Sequence, residues 1–253
     1  MRNILATVVV LLVCCTIGVS GYDQPSDPIV VFYFTGIGCP HCANVDPVIF
    51  GEWLDEYPDL VVVEYELYKH EQNGPVFTAF VNQFGMGSGV PNLLMGYNGS
   101  VSGDKPILST LPGVMAEREN ITAQYGEVLF RLETSLIATL PGEPQIWHGD
   151  RILMRNGTAI QDEMFLHQLL LGEDLTAVLS GTPYTKINAT QVPVSGSSIS
   201  FDHAVAIDGW ILQWNGDPLA EPTAAVVTQS PLPVWLALLG FGAVFVVYGR
   251  VKL

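Results

Sequence analysis

The sequence predicts an α/β protein followed by a smaller α+β region and a C-terminal transmembrane helix. Three observations lead there. Between Pro28 and Leu140, apolar and β-branched runs alternate with segments of helical character. Beyond Gly142 the strand-like stretches are short and punctuated by turn residues, with one helical pattern at Gln161–Leu171. The last apolar stretch, Pro233–Gly249, has the length of a bilayer crossing when its flanks contribute, and Arg250 and Lys252 follow it at once.

The ends give the chain its address. Of 253 residues, 49% are apolar and 14% charged, at a mean hydropathy of +0.34, which excludes a disordered, highly charged chain. Met1-Arg2 precedes an uncharged run from Ile4 to Val19 and the small residues Gly18, Ser20 and Gly21. These are the parts of an export signal, assigned to residues 1–21; a retained anchor is the alternative. At the other end, Trp235 and Tyr248 sit near the two limits of the apolar run, where amphipathic rings prefer the interface. The expected layout is a linker at 221–230, a membrane helix at 231–249 and a tail at 250–253, with a buried C-terminal helix as the alternative.

Charge sets the orientation. The chain carries 25 acidic and 10 basic residues, a formal net charge of −15. Such a surface repels phosphate backbones, so no nucleic acid is expected as a partner. Arg2, Arg250 and Lys252 lie outside the 22–230 body, whereas all 25 acids lie within it. Basic tips around an acidic middle place the body on the extracytoplasmic side of a cell membrane, crossed once. Four N-x-[ST] sequons, at Asn98, Asn120, Asn156 and Asn188, mark possible glycosylation sites on that body.

Within the body, Pro28–Thr35 is a continuous apolar, β-branched and aromatic run and predicts a buried strand. Gly36 to Gly38 make a turn, and Cys39–Tyr57 predicts a helix from Val45, Val48, Ile49 and Leu54. Pro40 falls where a first-turn proline is tolerated, and Pro47 predicts a kink. Leu60–Leu67 reads as the next strand and Pro75–Phe84 as the next helix.

Cys14 and Cys15 lie in the export signal and read as small hydrophobes, with a lipoprotein cysteine as the sharper alternative. Removal of the signal leaves Cys39 and Cys42. A bridge across two residues constrains the chain very little, so Cys39-Pro40-His41-Cys42 in an oxidising compartment reads as a redox dithiol. A zinc site and an inert remnant are the alternatives. His70, His148, His167 and His203 show no paired spacing to support zinc, and no metal is expected. Cys39, at a helix N-terminus, is expected to be the exposed nucleophile, its thiol shifted from about 8.5 towards the 3.5–7 range. His41 is expected to lend that sulfur a charge or a hydrogen bond.

These residues resemble the thioredoxin superfamily. The Cys39-Pro40-His41-Cys42 motif, and Val90 ahead of Pro91, are similar to bacterial disulfide oxidants of the DsbA type. The resemblance covers about 27–140 and implies a mixed central sheet flanked by helices. It also implies a strand over Gly89–Met95 carrying a cis-proline at Pro91 that faces the dithiol, and a role for Val90 in selecting substrates. Pro91 lies 52 residues after Cys39 (91 − 39), which leaves no room for the helical domain that DsbA-type proteins insert there. Many relatives hold a buried acid six residues before the first cysteine; here that position is Tyr33. The proton acceptor for Cys42 stays open between Asp46 and a water.

Further along, Asn98-Gly99 predicts a hairpin turn, Lys105–Thr110 a fifth strand, and Leu111–Gln124 an added loop or helix. Val114–Leu140 is helical in character. Gly142-Glu143-Pro144 predicts a boundary before a second region at 144–220. There Gln145–Arg155 is strand-like and Ser198–Asn215 a meander, with Asp208-Gly209 as its hairpin signal. Asp202, His203, Trp210 and Trp214 read as sheet packing, or alternatively as a partner surface. The expected function is a membrane-anchored, extracytoplasmic thiol–disulfide oxidoreductase, acting as an oxidant and needing no metal or nucleotide cofactor. Its expected partners are exported protein thiols and disulfides and a membrane redox partner that recycles the dithiol. A thiol reductant and a non-catalytic binding or assembly module are the alternatives.

Overall fold

The computed structural model describes residues 28–96, 99–116, 137–158 and 161–220. The expectations for residues 1–21, Asn98, Asn120, 221–230, 231–249 and 250–253 lie outside these. Among the described residues no helix is long and apolar enough to cross a membrane. The chain divides after Pro218, and only Leu219 and Ala220 of the second unit are described.

The first unit is mixed α/β and built mostly of strands. β1 (Ile29–Thr35) runs parallel to β2 (Leu60–Glu66), with Tyr33 opposite Glu64 and Thr35 opposite Glu66. Every residue of both strands is buried, as expected for continuous apolar runs covered on both faces. Parallel strands need a long crossover. Here it is α1 (Cys42–Val48), a π-helical turn (Ile49–Trp53) and α2 (Leu54–Glu56). The helix widens just past Pro47, which lacks an N–H and crowds the carbonyl one turn back. The predicted kink is thus a π-turn.

Two layers cover the sheet. On one face, α3 (Asn73–Phe84) sets Phe77 and Phe80 against Phe34, at ring separations of 5.0 and 5.1 Å, and ends at left-handed Gly85. On the other face, Ile29, Val31, Tyr33, Leu60 and Val62 pack against Val45, Ile49, Phe50 and Trp53. The two sets alternate along β1 and β2, as the period of a strand requires.

β3 (Asn92–Leu94) pairs antiparallel with β1, and β4 (Ser100–Ser102) with β3. The next segment corrects an expectation: Lys105–Thr110 is not a strand but part of α4 (Asp104–Ala116). Its buried residues Ile107, Leu111, Val114 and Met115 recur at helical spacing and join the core beside α1. Pro106 sits in its first turn, where a missing N–H costs nothing. Of the helix expected over Val114–Leu140, residues 114–116 end α4, residues 137–140 form a turn, and the rest lies outside the described residues.

The sheet does not stop at Gly142. β5 (Gln145–His148) adds antiparallel to β2, followed by β6 (Arg151–Arg155). Beyond α5 (Glu163–Leu171) and α6 (Leu175–Val178) come β7 (Tyr184–Ile187), β10 (His203–Ile207) and β11 (Trp210–Trp214). The nine-stranded order is β4-β3-β1-β2-β5-β6-β11-β10-β7. β8 (Val192–Val194) and β9 (Ser197–Ile199) form a separate hairpin. Asp208-Gly209 turns β10 into β11 as predicted. Trp210 and Trp214 are buried, with Arg155 over the first at 5.1 Å and His203 beside the second at 5.2 Å. They are packing residues.

Candidate active site

β1 delivers the chain to the dithiol and Gly36 stops it. The Gly36 carbonyl accepts the Cys39 N–H (2.9 Å), closing a turn through Ile37 and Gly38, whose φ of +94° favours glycine. Helical hydrogen bonding then begins at Cys39, whose carbonyl accepts the Ala43 N–H at 3.0 Å. Both cysteines are free thiols. Cys42 is wholly buried, and Cys39 is only 6% exposed. Burial of Cys39 departs from the expected exposed thiol; the Val90 loop covers it.

The Val90–Pro91 peptide is cis, and Pro91 is buried. The Cys39 thiol donates to the Val90 carbonyl at 3.8 Å, while the Cys42 N–H points at Cys39 Sγ at 3.4 Å. Asn92 ties this loop down from below through bonds to the Gly87 and Gly89 carbonyls. Pro40 and His41 are exposed on the outer side of the turn. His41 Nδ1 pairs with Asp104 at the start of α4 (3.2 Å) rather than with sulfur, and Asn44 donates to the same oxygen at 2.8 Å. Those bonds lower the Asp104 carboxyl to about 2. The structure therefore brings Cys39, Pro40, His41, Cys42, Val90 and Pro91 together. Asn156 and Asn188 are exposed elsewhere on the surface.

Behind Cys42 lies Asp46, one helical turn further on and wholly buried. Its Oδ1 accepts the Tyr33 hydroxyl (2.6 Å) and the Thr35 hydroxyl (2.9 Å), and its Oδ2 accepts the Ser195 N–H (2.7 Å). Burial raises the Asp46 carboxyl above its ordinary range even though these donors pull it down. Burial also pushes the Cys42 thiol up to about 12, aided by its bond with Cys39 and opposed by bonds from Thr35 and the Gly36 backbone. Tyr33 is raised well above its usual value, by burial first and the Asp46 charge second. Thr35 thus stands between a buried thiol and a buried acid.

No family model, curated protein or solved structure matches this chain. What the site can do follows from its own geometry. Two thiols in mutual contact, one beneath a main-chain carbonyl and one bonded to a threonine that also bonds a buried acid, have the groups that disulfide exchange uses. Among the described residues no group of three or more His, Cys, Asp or Glu is arranged to hold a metal ion.

Sequence reasoning misses three supporting residues. Glu66, buried at the end of β2, accepts four main-chain N–H groups: Ile37 (2.8 Å), Tyr68 (2.9 Å), Lys69 (2.6 Å) and His70 (3.2 Å). It locks the dithiol turn to the loop carrying Tyr68, whose exposed ring covers Gly36. A Cβ on Gly36 would lie 2.9 Å from that ring, so a larger residue there would have to displace Tyr68. Thr35 and Ser195 are the others. A threonine ending a strand and a Ser-Gly turn look the same in sequence whether or not they serve a site.

Proposed function

We propose that the chain is a thiol–disulfide oxidoreductase of thioredoxin-like fold, membrane-anchored, acting on exported proteins from the extracytoplasmic side as an oxidant. One observation carries the reading: Cys39 under the Val90 carbonyl, backed by a more deeply buried Cys42 that shares Thr35 with Asp46.

In the resting state Cys39 and Cys42 are joined. A substrate thiolate attacks Cys39 Sγ, the Cys39–Cys42 bond breaks, and Cys42 leaves as a thiolate. Asp46 donates a proton to it through the Thr35 hydroxyl. A second substrate thiolate attacks the substrate sulfur of the mixed disulfide, which forms the substrate disulfide and releases Cys39 as a thiolate. Two electrons have passed from the substrate dithiol to the enzyme. A membrane redox partner carrying a disulfide accepts them and restores the resting bond. Run backwards, the Asp46 carboxylate takes the proton from Cys42. A carboxyl raised above its ordinary range by burial can serve in both directions. Val90 and Pro91 present the substrate backbone.

Trapping tests the reading. Cys42→Ala should accumulate mixed disulfides through Cys39, seen as thiol-sensitive adducts on gels, whereas Cys39→Ala should accumulate few. Equal adducts from both variants, or none from either, would remove the exchange mechanism. Direction is read by equilibration with glutathione and thiol labelling. The expected potential lies above about −200 mV, against about −270 mV for thioredoxin and about −120 mV for DsbA. A value close to thioredoxin's makes the protein a reductant.

A further inference from the structure

We infer that the Val192–Ile199 hairpin completes the redox centre, with Ser195 as a positioning residue that holds the Asp46 carboxyl in place for proton exchange with Cys42. The inference rests on the dithiol reading above and adds a residue 149 positions away from Asp46 in sequence.

The division of bonds on Asp46 is unequal. Tyr33 and Thr35 both favour Oδ1, and Thr35 reaches Oδ2 only at 3.2 Å. The close donor to Oδ2 is the Ser195 N–H, at 2.7 Å. Ser195 also donates its hydroxyl to the Gly36 carbonyl at 2.6 Å, the carbonyl that receives the Cys39 N–H. One buried serine therefore holds both the acid and the turn that presents the dithiol.

The hairpin is built to reach this place. Val192 and Val194 are buried in the same core as Val45 and Trp53, so the hairpin cannot lift freely. Val194 pairs with Ser197 across a two-residue turn, Ser195-Gly196. Gly196 has φ +83°, and a Cβ there would meet the Ala43 Cβ at 3.1 Å and the Ala43 carbonyl at 3.4 Å. Glycine lets the turn lie directly on α1, between the two cysteines and Asp46 in sequence. The other titratable groups facing Asp46 are Tyr33 on β1 and buried Glu64 on β2, which is held by Trp147 Nε1 at 2.7 Å, while Cys42 on α1 bears on Tyr33 as Asp46 does. Cys39 acts on Cys42, one step removed. None of these comes from the hairpin. Ser195 is its contribution.

A double-mutant cycle tests the inference in the full-length protein. The reduced enzyme is mixed with glutathione disulfide, and resolution of the Cys39–glutathione adduct by Cys42 is followed against pH for wild type, Ser195→Ala, Asp46→Asn and the double variant. Cys42 then gives its proton to Asp46 and attacks Cys39. The Cys39–Cys42 bond forms, and glutathione leaves as a thiolate that is protonated by water. Ser195→Ala keeps the main-chain N–H but removes the hydroxyl that ties the turn to the Gly36 carbonyl, so the N–H bond to Asp46 loosens; resolution should slow about fivefold near neutrality and the acid limb of the profile should move to higher pH. In the Asp46→Asn background the same change should have almost no effect, and Ser195→Thr should restore most of the rate. Multiplying effects of Ser195→Ala and Asp46→Asn, or a Ser195→Ala variant altered only in melting temperature, would overturn it. Should Ser195→Ala fail to fold, Gly196→Ala, which pushes the turn off Ala43, takes its place in the cycle with the same two outcomes. If wild type forms no Cys39–Cys42 disulfide with glutathione disulfide, the dithiol reading itself fails; if it does and the effects multiply, only the hairpin's role is lost.

Discussion

Asp46 shows how a residue can be legible in sequence without its meaning being so. Its position four after Cys42 puts the two on one face of a helix, which makes it a candidate. Its burial and its three donors come from β1 and from the distant hairpin, and no local pattern announces them. The same burial has a measurable cost. Asp46 binds its proton more tightly folded than unfolded, so its contribution to stability is full below the unfolded value of about 3.8 and fades as pH rises through the raised folded value. Glu64, buried and also raised, acts in the same direction. Asp104, held down at about 2, acts oppositely, and its contribution is lost on going below about 4 towards 2. The melting temperature should therefore decline from about pH 4 towards neutrality, and Asp46→Asn should flatten that decline without abolishing it. An unchanged slope in the variant would mean that Asp46 is ionised with no penalty. It would then be a poor proton store.

Elements are readable in proportion to the length of their pattern. β1 and β2 are seven-residue runs with no polar interruption before Glu64, and each emerges as a fully buried strand. Residues 105–110 mislead because six residues of mixed apolar character fit either period. Only the longer spacing from Ile107 to Met115 reveals the helix. The turn between β1 and α1 holds its shape through Glu66, whose carboxylate serves four N–H groups at once. Glu66→Gln halves the acceptor oxygens and introduces an amide whose N–H groups face donors. It should lower stability by about 2–3 kcal/mol, seen as a lower urea midpoint at constant slope. Exchange through Cys39 should become less pH-regular as Ile37 loosens, so the two readouts fall together. A variant as stable as wild type would show that the N–H groups find water instead.

At the scale of the whole molecule, charge distribution carries a prediction that the described residues leave independent. Protease added to intact cells should digest the 22–230 body and spare a tag placed after Leu253, because all 25 acids lie in the body and three of the ten basic residues flank it. Protection of the body together with loss of the tag would reverse the topology. The surface positions of Asn156 and Asn188 make them open to glycosylation, and glycosidase treatment of the expressed protein should shift its mobility where the host attaches N-glycans. The continuity of the sheet past Gly142 is the feature least visible in sequence. Gly-Glu-Pro is a plausible linker on composition, and strand pairing between β5 and β2 is a long-range event without a local signature.

That pairing has a consequence for anyone who would treat the dithiol half as an exchangeable cassette. β2 is flanked by β1 on one side and by β5 on the other, so trimming the chain at Gly142 leaves one edge of a buried strand unpaired. An edge of that kind, apolar and unguarded by charge at Leu60–Val63, recruits strands from neighbouring copies. Grafts, fusions and shuffled hybrids that keep only the Cys39–Cys42 half should therefore precipitate, and a working transplant has to carry everything through Pro218.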